Sequence, residues 1–279
     1  MSNLQLRRRE VFNNLRLIWK EPLLFMSIVG IFYFLLVFVV YPLFQVIMYS
    51  LRVDGVFTLA NYKAVFSAEY YIRPFINSMT LGVITASIGT FVGFVFAYGI
   101  TRTPLPGKKF FRLTATFPII SPPFVVALSA ILLFGRVGTF TPILEKIIGE
   151  YSIYGLGGLV LVETIAYAPT AFLVLVGVLQ AIDPALEEAA MDLGATRGRV
   201  FRTVTLPLAI PGIAGAWLLV FIQSIADFGN PMVISGDFQV LSVQAFLQIT
   251  GMYDLSRGST LAVLLLLPTL VAFYLQKYW

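Results

Sequence analysis

The sequence predicts an all-α, polytopic membrane protein with six transmembrane helices. Hydrophobic residues make up 58% of the 279 positions and charged residues only 12%, with a mean hydropathy of +0.88. Soluble domains, by comparison, are about a quarter charged. Charged residues divide the chain into apolar windows, and six of these are long enough to cross a hydrocarbon layer of about 30 Å. Each window is expected to be helical, because a segment in lipid must pair its own backbone polar groups.

The six windows follow one another from Pro22 to the end of the chain. They cover residues 22–51, 74–101, 113–135, 151–182, 203–226 and 258–276, and Glu163 is the only charge inside them. Prolines are expected to interrupt two of the helices, either as packing kinks or as breaks that line a cavity. These are Pro118, Pro122 and Pro123 in the third helix and Pro169 in the fourth.

The distribution of basic residues predicts the orientation of these helices. Of the 19 Lys and Arg residues, 13 lie in the segments on the side of the N-terminus, which also holds the C-terminus after six crossings. Basic residues favour the cytoplasmic side. We therefore expect both termini in the cytoplasm, together with the segment between the fourth and fifth helices.

The first 21 residues are expected to form a cytoplasmic amphipathic segment ahead of the membrane domain, residues 22–279. Between residues 4 and 20, basic side chains alternate with apolar ones at helical spacing. Such a helix can lie on anionic membrane lipid. The alternative is that the same charges only set the topology.

A charged segment, residues 183–207, separates the fourth and fifth helices. It contains Glu188-Ala189-Ala190, then Gly194 after three residues, and Val204 and Leu206-Pro207 after nine more. This spacing resembles the Glu-Ala-Ala loop of permease subunits of binding-protein-dependent ABC importers, with Val204 where that family carries Ile. The alternative interpretation is an ordinary amphipathic loop.

The resemblance implies a type I importer permease fold in which this loop couples the membrane helices to an ATPase. The residues expected to carry the coupling are Glu187, Glu188, Ala189, Ala190, Asp192, Gly194, Arg197, Leu206 and Pro207.

Capping signals within the segment predict two short helices joined at a glycine. Asp183 and Pro184 suit a helix start, and Gly194 suits the left-handed residue that ends one. Thr196 is expected to cap the second short helix, and Leu206-Pro207 to open the fifth span.

Three polar residues are candidates for the translocation pathway. Glu163 lies within the fourth window, where an ionisable group is costly and often functional. Asp227 and Asn230 follow the fifth window. A structural role remains open for both acids, and for Asp227 the candidate partner is Arg257.

Two further resemblances bear on the substrate. Asn77-Ser78-Met79 resembles the Asn-Ser-Leu of the same permeases, and Asn61-Tyr62 their Asn-Tyr. The segments 227–231, 235–238 and 240–242 resemble the ferric-iron branch, so ferric iron is the expected solute. The permeases for 2-aminoethylphosphonate, thiamine, polyamines and sulfate are close relatives and remain alternatives.

Composition disfavours other functional classes. The chain has no His and no Cys, so a membrane enzyme would lack the usual nucleophile–base pairs and metal clusters. An ion-coupled carrier usually needs several intramembrane acids. No phosphate-binding loop of the Gly-x-x-x-x-Gly-Lys type occurs, so ATP must be handled by another chain.

The resemblance implies a set of partners for a protein that is not an enzyme and needs no cofactor. These are ABC ATPase subunits, an extracytoplasmic solute-binding protein, and a second permease half that is a copy, another chain or a covalent continuation. Membrane lipid is expected around it and nucleic acid is not. The expected location is the cytoplasmic (inner) membrane of a bacterium or archaeon.

Overall fold

A computed structural model describes residues 21–53 and 55–278, most of them helical. The predicted helix within residues 4–20 lies outside the described residues. In chain order the elements are α1 (Pro22–Ser50), β1 (Arg52–Val53), β2 (Val56–Phe57), α2 (Ala60–Ser67), α3 (Glu69–Arg102), α4 (Lys108–Ile120), α5 (Pro123–Phe134), α6 (Thr141–Ile148), α7 (Leu156–Ala181), α8 (Pro184–Asp192), α9 (Arg197–Ala226), α10 (Gly229–Ile234), α11 (Leu241–Thr250) and α12 (Leu255–Tyr278).

Five of the described helices are long and apolar enough to cross a membrane, namely α1, α3, α7, α9 and α12. The third predicted window instead forms a pair of helices, α4 and α5, that meet at 104°. The break falls where Pro122 and Pro123 lack N–H groups and hold Ser121 in an extended conformation. The six-span prediction is confirmed if this bent pair counts as one span.

Of the two outcomes expected at Pro169, a break in the helix does not occur. Helix α7 runs through this residue without a break. Proline removes one backbone hydrogen bond, but Pro169 is buried among neighbouring residues of the bundle, whose packing keeps α7 continuous. Packing therefore outweighs the local preference at this position.

Helices α3, α7 and α9 form the centre of the bundle because α3 presents small residues to its neighbours. A Cβ on Gly93 would lie 2.8 Å from the backbone nitrogen of Phe172, and one on Gly82 would lie 3.0 Å from Phe221. At Gly93 a Cβ would clash with the backbone of α7, so the absence of a side chain there lets the backbones of α3 and α7 approach closely. The buried core around them contains Leu175, Leu179 and Val220.

The opposite situation holds for α1, which lies at the edge of the bundle. The most apolar stretch of this helix has no buried residues, and Phe32 and Phe38 are exposed. Its second half packs against α12. A long apolar surface of this kind suits lipid or another membrane chain.

Candidate functional site

The first part of the candidate site is the turn from α7 into α8. Asp183 precedes α8, and its carboxylate accepts a hydrogen bond of 2.9 Å from the Ala185 amide, with Pro184 at the first helical position. The predicted cap is confirmed. An acid cap and an early Glu187 also match the positive end of the helix dipole.

Gly194 ends α8 in the left-handed conformation, with φ of +86°. The Gly194 amide donates to the Met191 carbonyl at 2.8 Å, and the Ala195 amide donates to the Ala190 carbonyl at 3.0 Å. This pair of bonds is a Schellman motif. It reverses the chain so that α8 and the start of α9 form a hairpin, called here the EAA hairpin (residues 183–207).

In the second half of the EAA hairpin, one prediction is wrong and another is confirmed. Thr196 stands at the cap position of α9, but its side chain makes no capping hydrogen bond. Leu206-Pro207 opens the regular α-helical part of the fifth span, Leu206–Ala226, as predicted, and the helical segment from Arg197 leads into it without a break. A π-helical turn, Phe201–Thr205, directly precedes Leu206. The wider turn accommodates Pro207, which cannot donate its backbone hydrogen bond.

The two adjacent glutamates of the EAA hairpin have different environments. Glu187 is only 16% exposed, lies 3.2 Å from Arg102 and accepts a 2.7 Å hydrogen bond from the Thr205 hydroxyl. Glu188 is exposed. Leu193, which is 90% exposed, and the half-exposed Leu186 add apolar surface. The remaining predicted coupling residues are exposed or half-buried: Ala189, Ala190, Asp192, Gly194, Arg197, Leu206 and Pro207.

Arg102, the last residue of α3, was not predicted as part of the site. Its guanidinium donates to the carbonyls of Leu179 at 2.8 Å and Ile182 at 2.9 Å, at the end of α7. Its Nε–H makes an ion pair with Glu187 without the alignment of a hydrogen bond. Its position in the sequence could have indicated this role, because it follows the second apolar window on the side of the membrane where the hairpin is predicted to lie.

A buried polar group joins the same three helices farther along the bundle. Glu163 of α7 is fully buried, and one of its carboxyl oxygens accepts hydrogen bonds from Thr85 of α3 and Ser224 of α9. Its other oxygen has no protein partner among the described residues.

Asp227 and Asn230 lie next to this group, at the end of α9. The Asn230 side chain donates to the Asp227 carboxylate at 2.7 Å, and the Tyr167 hydroxyl lies beside the same carboxylate. Burial raises the pKa of the Asp227 carboxyl, and the bonds from Asn230 and Tyr167 oppose that rise. The proposed partner Arg257 pairs instead with Asp254, at 3.4 Å.

The structure therefore gathers the three predicted pathway residues into one buried cluster. Glu163 and Asn230 have no exposed surface, and Asp227 is 7% exposed. Within the described part of the chain, no group of three or more acidic side chains is arranged to hold a metal ion.

Asn77 and Ser78 of α3 fasten a loop at the end of the bundle away from the EAA hairpin. Asn77 donates to the Gln239 carbonyl at 2.9 Å, and the Ser78 hydroxyl accepts from the Leu241 amide at 2.8 Å. The loop they hold contains the exposed Asp237, which borders clefts of about 780 and 650 Å³ on either side.

Two curated relatives are similar to this chain over nearly its whole length. The permease protein FbpB 1 of Haemophilus influenzae is 33% identical over 270 residues, which are 95% of this chain and 43% of that protein. The ferric transport system permease protein FbpB of Actinobacillus pleuropneumoniae is 32% identical over 273 residues, 96% of this chain and 40% of that protein. The chain thus spans about two fifths of the length of these relatives.

The fold matches that of a solved transporter. A chain of a bacterial alginate ABC transporter, crystallised with an alginate pentasaccharide-bound periplasmic protein, superposes with a TM-score of 0.81 at 17% identity. The match covers 94% of this chain and 95% of that one. At this identity the likeness concerns the fold alone.

A family profile settles the assignment. The profile described as binding-protein-dependent transport system inner membrane component matches residues 89–279. These residues include the EAA hairpin, the buried cluster and the last three long helices. The chain belongs to the family of inner membrane components of binding-protein-dependent transport systems, and it is a transport component, not an enzyme.

Proposed function

We propose that this chain forms one half of the membrane channel of an ATP-driven solute importer and couples to an ATPase through the EAA hairpin. The observation that carries the proposal is the geometry of that hairpin. The capped helix α8, the Schellman turn at Gly194 and the continuous helix α9 form one connected hydrogen-bonded unit that leads into the membrane. When an ATPase docked on this unit moves, the unit can transmit that movement to the membrane helices.

The exposed surface of the EAA hairpin suits a protein partner. Glu188 offers a charge for a hydrogen-bonded ion pair, and the flanking Leu186 and Leu193 offer apolar contact area. The small Ala189 leaves room for close approach of an ATPase groove. In the proposed mechanism, ATP binding closes two ATPase subunits, carries the hairpins with them and opens the pathway outward, and hydrolysis resets it.

The distribution of charge supports the proposed sidedness. The EAA hairpin carries Arg197, Arg199 and Arg202, all exposed, and the segment joining α3 to α4 is also basic. Both are expected in the cytoplasm by the positive-inside rule. The termini then face the cytoplasm, residues 1–21 form the segment ahead of the membrane domain, and the loop at Asp237 faces the solute-binding protein outside a bacterial or archaeal inner membrane.

A second permease half completes the proposed pathway. The relatives are more than twice as long as the aligned region, which supports a partner half of similar size. The partner is a second copy, a different chain or a covalent continuation. In this arrangement Glu163, Asp227 and Asn230 support the wall of the pathway from inside the helix packing.

Ferric iron is the proposed solute. The support is the similarity to FbpB of Actinobacillus pleuropneumoniae, which carries ferric transport in its name. A hard cation such as ferric iron prefers oxygen ligands, and an external binding protein would supply them before release into the pathway. The phosphonate, polyamine, thiamine and sulfate alternatives are outcomes of the test.

The test begins with purification of the tagged native protein in a mild detergent and identification of the chains that remain bound. The proposal expects an ATPase, a solute-binding protein and a second half or a longer parent chain. The complex is then placed in proteoliposomes with ATP inside, and uptake of radioactive iron is measured with the binding protein outside.

Uptake that requires both ATP and the binding protein supports the importer. Uptake of sulfate, a polyamine, thiamine or 2-aminoethylphosphonate in place of iron corrects the substrate only. Transport driven by a proton or sodium gradient without ATP would contradict the importer. Purification without any ATPase, under conditions that preserve a known importer complex, would also contradict it.

A further inference from the structure

The EAA hairpin makes contacts in two directions, and different residues make them. The Glu187 side chain turns toward the bundle and meets Arg102 and Thr205. Its neighbour Glu188 is exposed. Two adjacent acids in the same motif therefore have separate surroundings, one inside this chain and one open to a partner.

Arg102 connects the EAA hairpin to the bundle at several points. It belongs to α3, donates two hydrogen bonds to the last carbonyls of α7, and pairs with Glu187 of α8. Glu187 in turn accepts from Thr205 of α9. One guanidinium thus links the ends of two spans to the hairpin, and its acid partner continues the link into a third span.

The local environment strengthens these contacts. The Arg102 side chain is 10% exposed and that of Glu187 is 16% exposed, so solvent screens the pair less than it screens a surface pair. The carbonyls at the end of α7 also carry the negative end of a helix dipole, which attracts a cation. A planar guanidinium has five donors in a fixed arrangement, which a lysine ammonium does not reproduce.

We infer that Arg102 is a positioning residue that makes α3 and α7 move together with the EAA hairpin. Glu188 and its apolar neighbours dock the ATPase, whereas Glu187 and Arg102 transmit the motion inward. This inference rests on the proposed importer function. It separates docking from transmission, and each can be removed without the other.

The first test compares variants in the purified complex. Arg102→Gln is expected to bind the ATPase and hydrolyse ATP, with iron taken up per ATP reduced roughly tenfold or more, a typical size for coupling between two sites. Arg102→Lys is expected to take up more iron per ATP than Arg102→Gln but less than the unmutated complex. Glu187→Gln keeps an acceptor for Thr205 but removes the ion pair, so an intermediate loss is expected.

Two exposed positions of the same hairpin serve as matched controls. Arg199→Gln removes a basic charge without touching Glu187 and is expected to transport normally. Glu188→Gln is expected to weaken ATPase association instead of the uptake per ATP. Normal uptake per ATP in Arg102→Gln would overturn the inference, as would loss of ATPase binding equal to that of Glu188→Gln.

A distance measurement tests the positioning role directly, and the absence of native cysteines makes labelling simple. Spin labels are placed at Arg199→Cys on the hairpin, the control position given above, and at Val95→Cys on α3, both exposed. A single narrow distance is expected in the nucleotide-free and ATP-bound complexes, and a broad one after Arg102→Gln. An unchanged distribution in that variant would overturn the inference. If the unmutated complex neither binds an ATPase nor transports, the importer proposal itself has failed.

Discussion

Thr85 and Ser224 lie on different membrane helices, yet their hydroxyl groups donate to the same carboxyl oxygen of Glu163. All three residues are buried. In this apolar interior a hydroxyl without a partner is costly. The shared acceptor therefore fixes α3, α7 and α9 relative to one another. It does so farther along the bundle than the contacts of Arg102, which lie at the end of α7.

Replacing Glu163 tests this interhelical bond. Glu163→Gln keeps an acceptor oxygen of the same reach, so stability near the unmutated value is expected. Glu163→Ala leaves both hydroxyls unpaired and opens a cavity, with an expected loss of about 2–4 kcal/mol. Unfolding in mixed detergent micelles measures the difference. Equal stability of the two variants would show that the carboxyl does not tie the helices together.

Because α3 approaches α7 closely, the effect of a Gly→Ala substitution on stability is expected to depend strongly on which glycine of α3 is replaced. Gly93→Ala puts a Cβ 2.8 Å from the Phe172 nitrogen and 3.0 Å from the Ala168 oxygen, which are backbone atoms. An expected loss of about 1–3 kcal/mol follows from overpacking.

Gly99→Ala on the same helix is the matched control, because no atom of the described residues lies within 4 Å of its added Cβ. It is expected to be neutral or stabilising by up to about 1 kcal/mol, since alanine favours a helix over glycine. Thermal unfolding in detergent measures both variants. A Gly99 variant less stable than the Gly93 variant would contradict the packing described here.

Because Gly194 has a positive φ, replacing it with a residue that disfavours this conformation is expected to reduce coupling. A leucine there would adopt a positive φ at a cost of about 1–2 kcal/mol, so Gly194→Leu is expected to insert normally but to lose transport. Gly194→Asn is the control, because asparagine tolerates this region. Membrane abundance and uptake are measured together. Normal uptake in Gly194→Leu would show that the turn is dispensable.

The exposed Glu188 predicts a docking defect. Glu188→Lys reverses the charge offered to the ATPase, and insertion is expected to be normal because this side chain lies outside the core. The amount of ATPase retained during purification is expected to fall, and uptake with it. Glu21→Lys, a reversal at an exposed acid outside the hairpin on the same predicted side of the membrane, shows how much of the effect is general electrostatics. Wild-type transport by Glu188→Lys would rule out its docking role.

The loop held by Asn77 and Ser78 gives a prediction for the opposite end of the bundle. Asn77→Ala and Ser78→Ala remove the bonds to Gln239 and Leu241, so the loop is expected to become more mobile. A thiol at Asp237→Cys would then react faster with a membrane-impermeant reagent. Ser87→Ala, on the same helix, leaves these bonds intact and is the control. Unchanged labelling in Asn77→Ala and Ser78→Ala would show that the loop is fixed by other contacts.

The sequence alone determined the features that depend on local chemistry. Long apolar windows require helices in lipid, and the order of charges locates their ends. Asp183, Pro184 and Gly194 define the start and end of α8, because a cap and a left-handed residue act through neighbouring backbone groups. The break at Pro122 and Pro123 was predictable for the same reason, although its 104° angle was not.

Only the tertiary structure decided which side chains meet. The continuity of α7 through Pro169, and of α9 up to and through Pro207, depends on packing against neighbouring helices and on the π turn. The partners of Glu163 and Glu187 come from helices far apart in the chain. Local periodicity places a residue on a helix face, but the rotation of that helix against its neighbours sets the contact, and close packing of the whole bundle fixes that rotation.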